Sequence, residues 1–141
     1  MPYEYLDHQA DLGIRGIGST PEEALSQGAQ AMLAAMADTE LVRAQQQLVQ
    51  HCRAPDIASL FIEWLNELLY QREINNLLFR SAHVARLSQD QEGWMLEGVA
   101  YGEPYDASRH ETHTEVKAAT YSGLAFHRQG DRYIVQCIVD V

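Results

Sequence analysis

At 141 residues, with hydrophobic residues at 46% and charged residues at 21%, the chain reads as one globular domain over residues 1–141, and its composition argues against disorder. A chain of this length buries roughly 70% of the surface it exposes when unfolded. The formal net charge of −10, from 10 basic and 20 acidic residues, argues against independent binding to nucleic acid, whose phosphates are neutralised mainly by Lys and Arg; it suits a divalent cation or a basic protein partner.

Met1 to His8 carry neither a basic segment nor an apolar core, so no secretory signal is expected. No apolar run approaches the roughly 18 residues that span a membrane. Cys52 and Cys137 belong to no CxxC-type motif. Buried free thiols in a cytoplasmic protein are the expectation, and one disulfide is the alternative.

In chain order, Tyr3–Leu6 alternates weakly and predicts a short strand, and Leu12–Ile17 alternates clearly before the turn residues Gly18 and Ser19. Thr20-Pro21-Glu22-Glu23 then opens a helix, with Thr20 as N-cap, Pro21 as first helical residue and Glu23 as capping-box acid. Leu25, Ala29, Met32 and Met36 mark its apolar stripe, which ends near Asp38. Residues 46–52 predict a strand. After Pro55, Ile57, Leu60, Phe61, Trp64, Leu65 and Leu68 fall on one helical face, with Ser59, Glu63, Asn66 and Glu67 opposite, so residues 57–70 predict the central core helix.

Beyond residue 76 the pattern becomes that of strands: 78–87, 93–101, 115–121, 125–128 and 133–139, the last two joined by Gln129-Gly130-Asp131 as a hairpin. Residues 133–139 are largely apolar on both faces, which predicts a central strand covered on both sides. The expected fold is α+β, with two main helices packed on a mixed, mostly antiparallel sheet.

The polar residues gather in three places. Asp7-His8-Gln9-Ala10-Asp11 precedes the first clear strand, where its carboxylates would by themselves be solvated loop groups. The chain ends Ile138-Val139-Asp140-Val141, which puts a main-chain carboxylate beside the Asp140 side chain. Hard oxygen donors of this kind select Ca²⁺, Mg²⁺ or Mn²⁺ over zinc, and Asp11, if it lies beside this strand end, would complete a set of three carboxylates. The third place is the run from Ala100 to Tyr121, with Glu103, Asp106, Arg109, His110, Glu111, His113, Glu115 and Lys117, the sole lysine of the chain.

His110 and His113 are three apart with no helical pattern around them, so they do not form the HExxH zinc motif. Lys117 on a strand would share a face with Glu115, giving either an exposed ion pair worth under about 1 kcal/mol or a positive group facing a cation site, nucleotide or partner. Arg109 and His110 either brace the loop or face a partner. The glycines Gly13, Gly16 and Gly18 do not match the dinucleotide fingerprint, and no P-loop or nucleophile elbow is present.

The run Tyr101-Gly-Glu-Pro-Tyr-Asp106, then Arg109-His110-Glu111, then Thr114-Glu-Val-Lys-Ala118 resembles the signature of the archease family. Asp7-His8-x-Ala10-Asp11-x-Gly13, the Thr-Pro-Glu-Glu-Ala helix opening, the Glu63-Trp-Leu helix and the Asp140-Val141 tail extend the resemblance from Tyr3 to Val141. Gln9 stands where threonine is usual, and Ser122 where histidine or another polar residue is more common.

The resemblance implies a non-catalytic activator of an RtcB-type RNA ligase in tRNA splicing or RNA repair, which meets RNA only through the ligase and binds no membrane. It implies calcium at Asp11, Asp140 and Val141, with Mg²⁺ and Mn²⁺ as other divalent candidates. Lys117, His8, Asp7, Arg109, His110 and Glu115 are then candidates for partner contact. Two other readings are a small metal-dependent hydrolase built from Asp11, His8 and the 103–113 loop, and a metal-independent chaperone-like module.

Overall fold

The N-terminal strands form because apolar and polar residues alternate, and the first helix starts where that alternation stops. A computed structural model describes residues 2–6 and 11–141. Strand β1 (Tyr3–Leu6) pairs antiparallel with β2 (Asp11–Gly18), and helix α1 (Pro21–Met36) follows directly. Thr20 caps it as expected, its hydroxyl oxygen accepting the Glu23 amide at 3.1 Å. The Glu23 carboxylate does not close the capping box. It accepts the Ser19 hydroxyl at 3.0 Å instead.

Strand β3 (Gln46–Ala54) leads to helix α2 (Ile57–Asn75), whose N-cap Asp56 accepts the Ser59 amide at 2.7 Å. The helix runs five residues past Tyr70 and stops at Asn76, which adopts the left-handed conformation with φ 51°. The remaining strands are β4 (Leu77–Asp90), β5 (Gly93–Pro104), β6 (Ala118–Ala119), β7 (Ala125–Gln129) and β8 (Arg132–Asp140). Gly130, at φ 65°, makes the β7–β8 turn that the sequence predicts.

The fold is α+β, as expected, and its strand pairings are antiparallel. The strands divide into two sheets, a partition that hydrophobic alternation does not reveal. One sheet has the order β1-β2-β8-β6, with β7 also on β8; the other has the order β3-β5-β4. Helix α1 packs on β2 and β8 of the first sheet and β4 of the second, while α2 packs on β3 and β5 of the second and on β6 to β8 of the first. Both helices therefore bridge the sheets around one core, in which Phe61, Trp64, Leu65, Met32 and Val135 are fully buried.

Gly16 permits this packing. A Cβ there would overlap the Ala24 carbonyl oxygen and the Gly28 amide of α1, so only glycine lets the helix backbone lie against β2. Gly16 and Gly18 thus serve helix–sheet approach, whereas Gly13 lies against Leu6 of β1. On the opposite face, Arg15 stitches three strands together, donating to Gln136 at 2.8 and 3.0 Å and to Glu4 at 2.9 Å.

Two expectations require correction. Strand β8 is central and its inward face (Val135, Cys137 and Val139) is fully buried, but on the outer face only Ile134 is buried, whereas Gln136 and Ile138 are half-buried. The predicted strand 115–121 shrinks to Ala118–Ala119. Upstream, the backbone turns to helix α1 instead: the His113 and Thr114 amides donate to the Met36 and Ala35 carbonyls at 2.8 and 3.0 Å. Those carbonyls are left without partners inside the helix, and the loop satisfies them. Downstream, residues 121–124 form a turn in which Gly123 has φ 63°.

Cys52 and Cys137 are free thiols. Burial pushes the Cys52 thiol up to about 11, helped by Glu67 and Glu63, and pushes Cys137 up to about 12. Among the described residues no helix is long and apolar enough to cross a membrane.

Trp64 fills the space between α2 and β5, and its indole N–H donates to the buried Gln50 side chain at 3.3 Å. Truncation to alanine opens a cavity and strands the Gln50 oxygen. Trp64→Ala should lower unfolding free energy by about 3–5 kcal/mol in urea titrations. A midpoint equal to that of the parent protein would show that the core helix is not the one assigned.

Candidate functional site

Strand register brings the two predicted carboxylates together. In the β2–β8 ladder Asp11 stands directly opposite Asp140, and Ala118 of β6 faces Asp140 from the other side. Opposed Cβ atoms in such a ladder are about 5 Å apart. Because Ile14, Gly16, Cys137 and Val135 face the helices, the alternation of strands puts Asp11 and Asp140 on the outer face of the sheet. The Lys117 amide donates to the Asp140 carbonyl at 2.8 Å, so the sole lysine emerges beside the same strand end. Val141 follows, 38% exposed.

The two side-chain carboxylates are oxygen donors only, which fits Ca²⁺, Mg²⁺ or Mn²⁺ and not zinc. Among the described residues no three His, Cys, Asp or Glu side chains converge on one point, so a cation here would rely on Val141 or solvent for its further ligands. Asp7 and His8 lie outside the described residues.

The other candidates separate into exposed and buried groups. Glu115 and Lys117 are exposed, but residues 115–117 are not a strand, and among the described residues no ion pair joins them. Arg109 and His110 turn inward to Glu103, a carboxylate buried on β5. Glu103 accepts the Arg43 backbone amide at 2.6 Å, His110 Nε2 at 2.9 Å and the Arg109 guanidinium at 2.5 Å.

Geometry assigns the His110 tautomer. Nδ1 accepts the Asp106 amide at 2.9 Å, so the ring proton sits on Nε2 and donates to Glu103 in the neutral form. Arg109 Nη2, 3.1 Å from that nitrogen, therefore finds its acceptor in Glu103. Asp106 closes the turn by accepting the Ser108 hydroxyl and amide at 2.7 and 3.0 Å, which hold its carboxyl below the usual range.

The dense polar run thus divides in two. Its first half, Glu103 to His110, folds the loop, and its end presents Lys117 at the strand terminus. Of the alternative hydrolase set, His8 lies outside the described residues, while Glu103 already meets three donors and lies on β5 of one sheet and Asp11 lies on β2 of the other. A cleft of about 350 Å³ beneath the loop, lined by Met36, Arg72, Tyr105 and His113, contains neither acidic residue of the strand end. Asp11, Asp140 and Lys117 form an open corner.

One residue with a part in this corner is not evident in the sequence. Asn66, placed by periodicity on the polar side of α2, binds both backbone groups of Ala119. An asparagine on a polar helical stripe gives no sign of which strand it will reach.

Fold and site together define a small two-sheet α+β protein with an oxygen-rich corner at the end of one sheet. The chain belongs to the archease protein family, whose model matches residues 3–141. It is 36% identical to the protein archease of Methanopyrus kandleri over 141 residues, covering 100% of both chains. With the protein archease of Pyrococcus furiosus it shares 34% identity over 140 residues, 99% of this chain and 98% of that one. The solution structure of Methanobacterium thermoautotrophicum protein 1598 matches with a TM-score of 0.86 at 29% identity, covering 99% of each chain.

Glu103 provides a pH test. Burial raises its carboxyl, but the Arg43 amide, His110 and Arg109 outweigh burial and hold it down at about 2. The unfolded value is about 4.3, so ionised Glu103 contributes stability above that pH, and the contribution is lost as pH falls toward 2. Glu103→Gln should be less stable than the parent at pH 7 in urea, with the gap closing between about pH 4.5 and 2. A gap independent of pH would mean that the charge of Glu103 is not what holds the loop.

Proposed function

We propose that this protein activates an RtcB-type RNA ligase, promoting its guanylylation and repeated turnover in tRNA splicing or RNA repair, without being a catalyst itself. The observation that carries the reading is the register placing Asp11 opposite Asp140 with Lys117 alongside. Membership of the archease family supports the partner class.

In this reading Asp11, Asp140 and the Val141 carboxylate hold a divalent cation, calcium by preference among hard cations with flexible oxygen coordination. When bound, the cation supplies positive charge able to offset a triphosphate. Lys117 offers an ammonium to a phosphate oxygen or a carboxylate of the partner complex. The net charge of −10 steers the protein toward a basic surface and away from free RNA, so RNA is met through the ligase. The setting is cytoplasmic.

Asp11→Ala and Asp140→Ala should each lose Ca²⁺ binding in calorimetry while melting near the parent temperature, since both carboxylates leave the core untouched. Residues appended after Val141 convert its carboxylate to a neutral amide and should weaken binding, because affinity follows the number of charged ligands. Unchanged calcium affinity in all three would remove the site.

Lys117→Ala should reduce ligase stimulation in a single-turnover guanylylation assay at unchanged thermal stability, since an exposed lysine adds little to folding. Full stimulation by this variant would place Lys117 outside the functional surface.

A further inference from the structure

We infer that Asn66, on the core helix, is a positioning residue for the strand-end corner: its side-chain amide acts as the missing neighbour strand of β6 and sets Lys117 against Asp140. The inference rests on the functional reading above for what the corner does, but not for how it is held.

Strand β6 is only two residues long, and a strand that short does not stand on its own pairing. On one side it meets β8, where Lys117 N–H donates to Asp140 O at 2.8 Å and Thr120 N–H to Ile138 O at 3.0 Å. On the other side no strand follows among the described residues. There the Ala119 amide donates to Asn66 Oδ1 at 2.9 Å, and Asn66 Nδ2 donates to the Ala119 carbonyl at 3.2 Å. One donor and one acceptor, side by side in one planar group, are what an adjacent strand offers at each pairing position.

Ala119 is 6% exposed, so both of its backbone groups would otherwise be buried without partners. Leu65 and Leu68, flanking Asn66 on α2, are buried in the core, which fixes the position of the asparagine. Lys117 lies two residues from the clamped alanine, with a loop before it and a turn after it. A chain of contacts thus runs from the core through α2, Asn66 and Ala119 to Lys117 and Asp140.

Hydrogen exchange read by NMR on the full chain tests the clamp without any ligase. In Asn66→Ala the Lys117 and Thr120 amides should exchange about tenfold faster, as expected for losing bonds that hold a local segment, while amides of the β2–β8 ladder keep their parent rates. Asn66→Asp retains the acceptor but loses the donor and should fall between the two. Stimulation of guanylylation by Asn66→Ala should drop about as far as that by Lys117→Ala.

Parent exchange rates at Lys117 and Thr120 in Asn66→Ala would overturn the inference, as would uniform acceleration across the sheet, which marks a general structural bond. Faster exchange with full stimulation would show that the placement is irrelevant to activity. If the parent protein stimulates no ligase, the functional reading fails, while the exchange rates still decide whether Asn66 is the clamp.

Discussion

The register between β2 and β8 is the constraint on which the rest of the molecule depends. A slip of one residue in an antiparallel pair turns every side chain to the other face. Here such a slip would drive Arg15 or Ile17 into the space where α1 backbone lies against Gly16. The overlap of a Cβ with the Ala24 carbonyl and the Gly28 amide makes any alternative a steric clash and not merely a loss of burial. With the register locked at Gly16, Asp11 must stand across from Asp140 five residues away along the strand. A packing requirement in the core thereby determines the geometry of charged groups at the sheet's end.

The loop from Tyr105 to Lys117 depends on a different interaction. It contains no regular structure, so its backbone groups need partners from elsewhere. Buried Glu103 supplies the anchor at its start by drawing in His110 and Arg109, and the end of α1 supplies the anchor at its middle by accepting the His113 and Thr114 amides. The first anchor is charge-assisted, and such bonds are roughly twice as strong as neutral ones. The density of chemical groups in this segment therefore reflects the demand of folding a long polar loop as much as any demand of function.

That division explains what was legible in the sequence. The first helix start, the core stripe of α2 and the β7–β8 hairpin depend on local patterns, and Thr20, Trp64 and Gly130 take the places those patterns require. The opposition of Asp11 and Asp140 was expected only conditionally, because pairing between strands so distant in sequence has no local signature. The strand predicted at 115–121 was misread because alternation cannot show that nearby amides will serve a helix end instead of a ladder. Arg109 and His110 remained ambiguous for a related reason: whether a polar residue faces inward depends on a buried acceptor, and Glu103 reads in the sequence as one more acid. The two-sheet partition is not legible because pairing between strands distant in sequence decides which sheet each joins, and hydrophobic pattern carries no such information.

The corner itself joins groups that would not assemble unaided. Like charges directly opposite each other in a sheet repel, so the proximity of Asp11 and Asp140 must be imposed by the structure around them. Eight residue pairs of the β2–β8 ladder hold one side, and on the other Asn66 fixes the two-residue strand that carries Lys117 to Asp140. The ladder is secured by α1 at Gly16 and the short strand by α2 at Asn66, so each helix supports one wall. The two helices thus hold the strand-end carboxylates and the backbone of Lys117 in one arrangement before any charged group approaches, which is the condition for preorganised electrostatics.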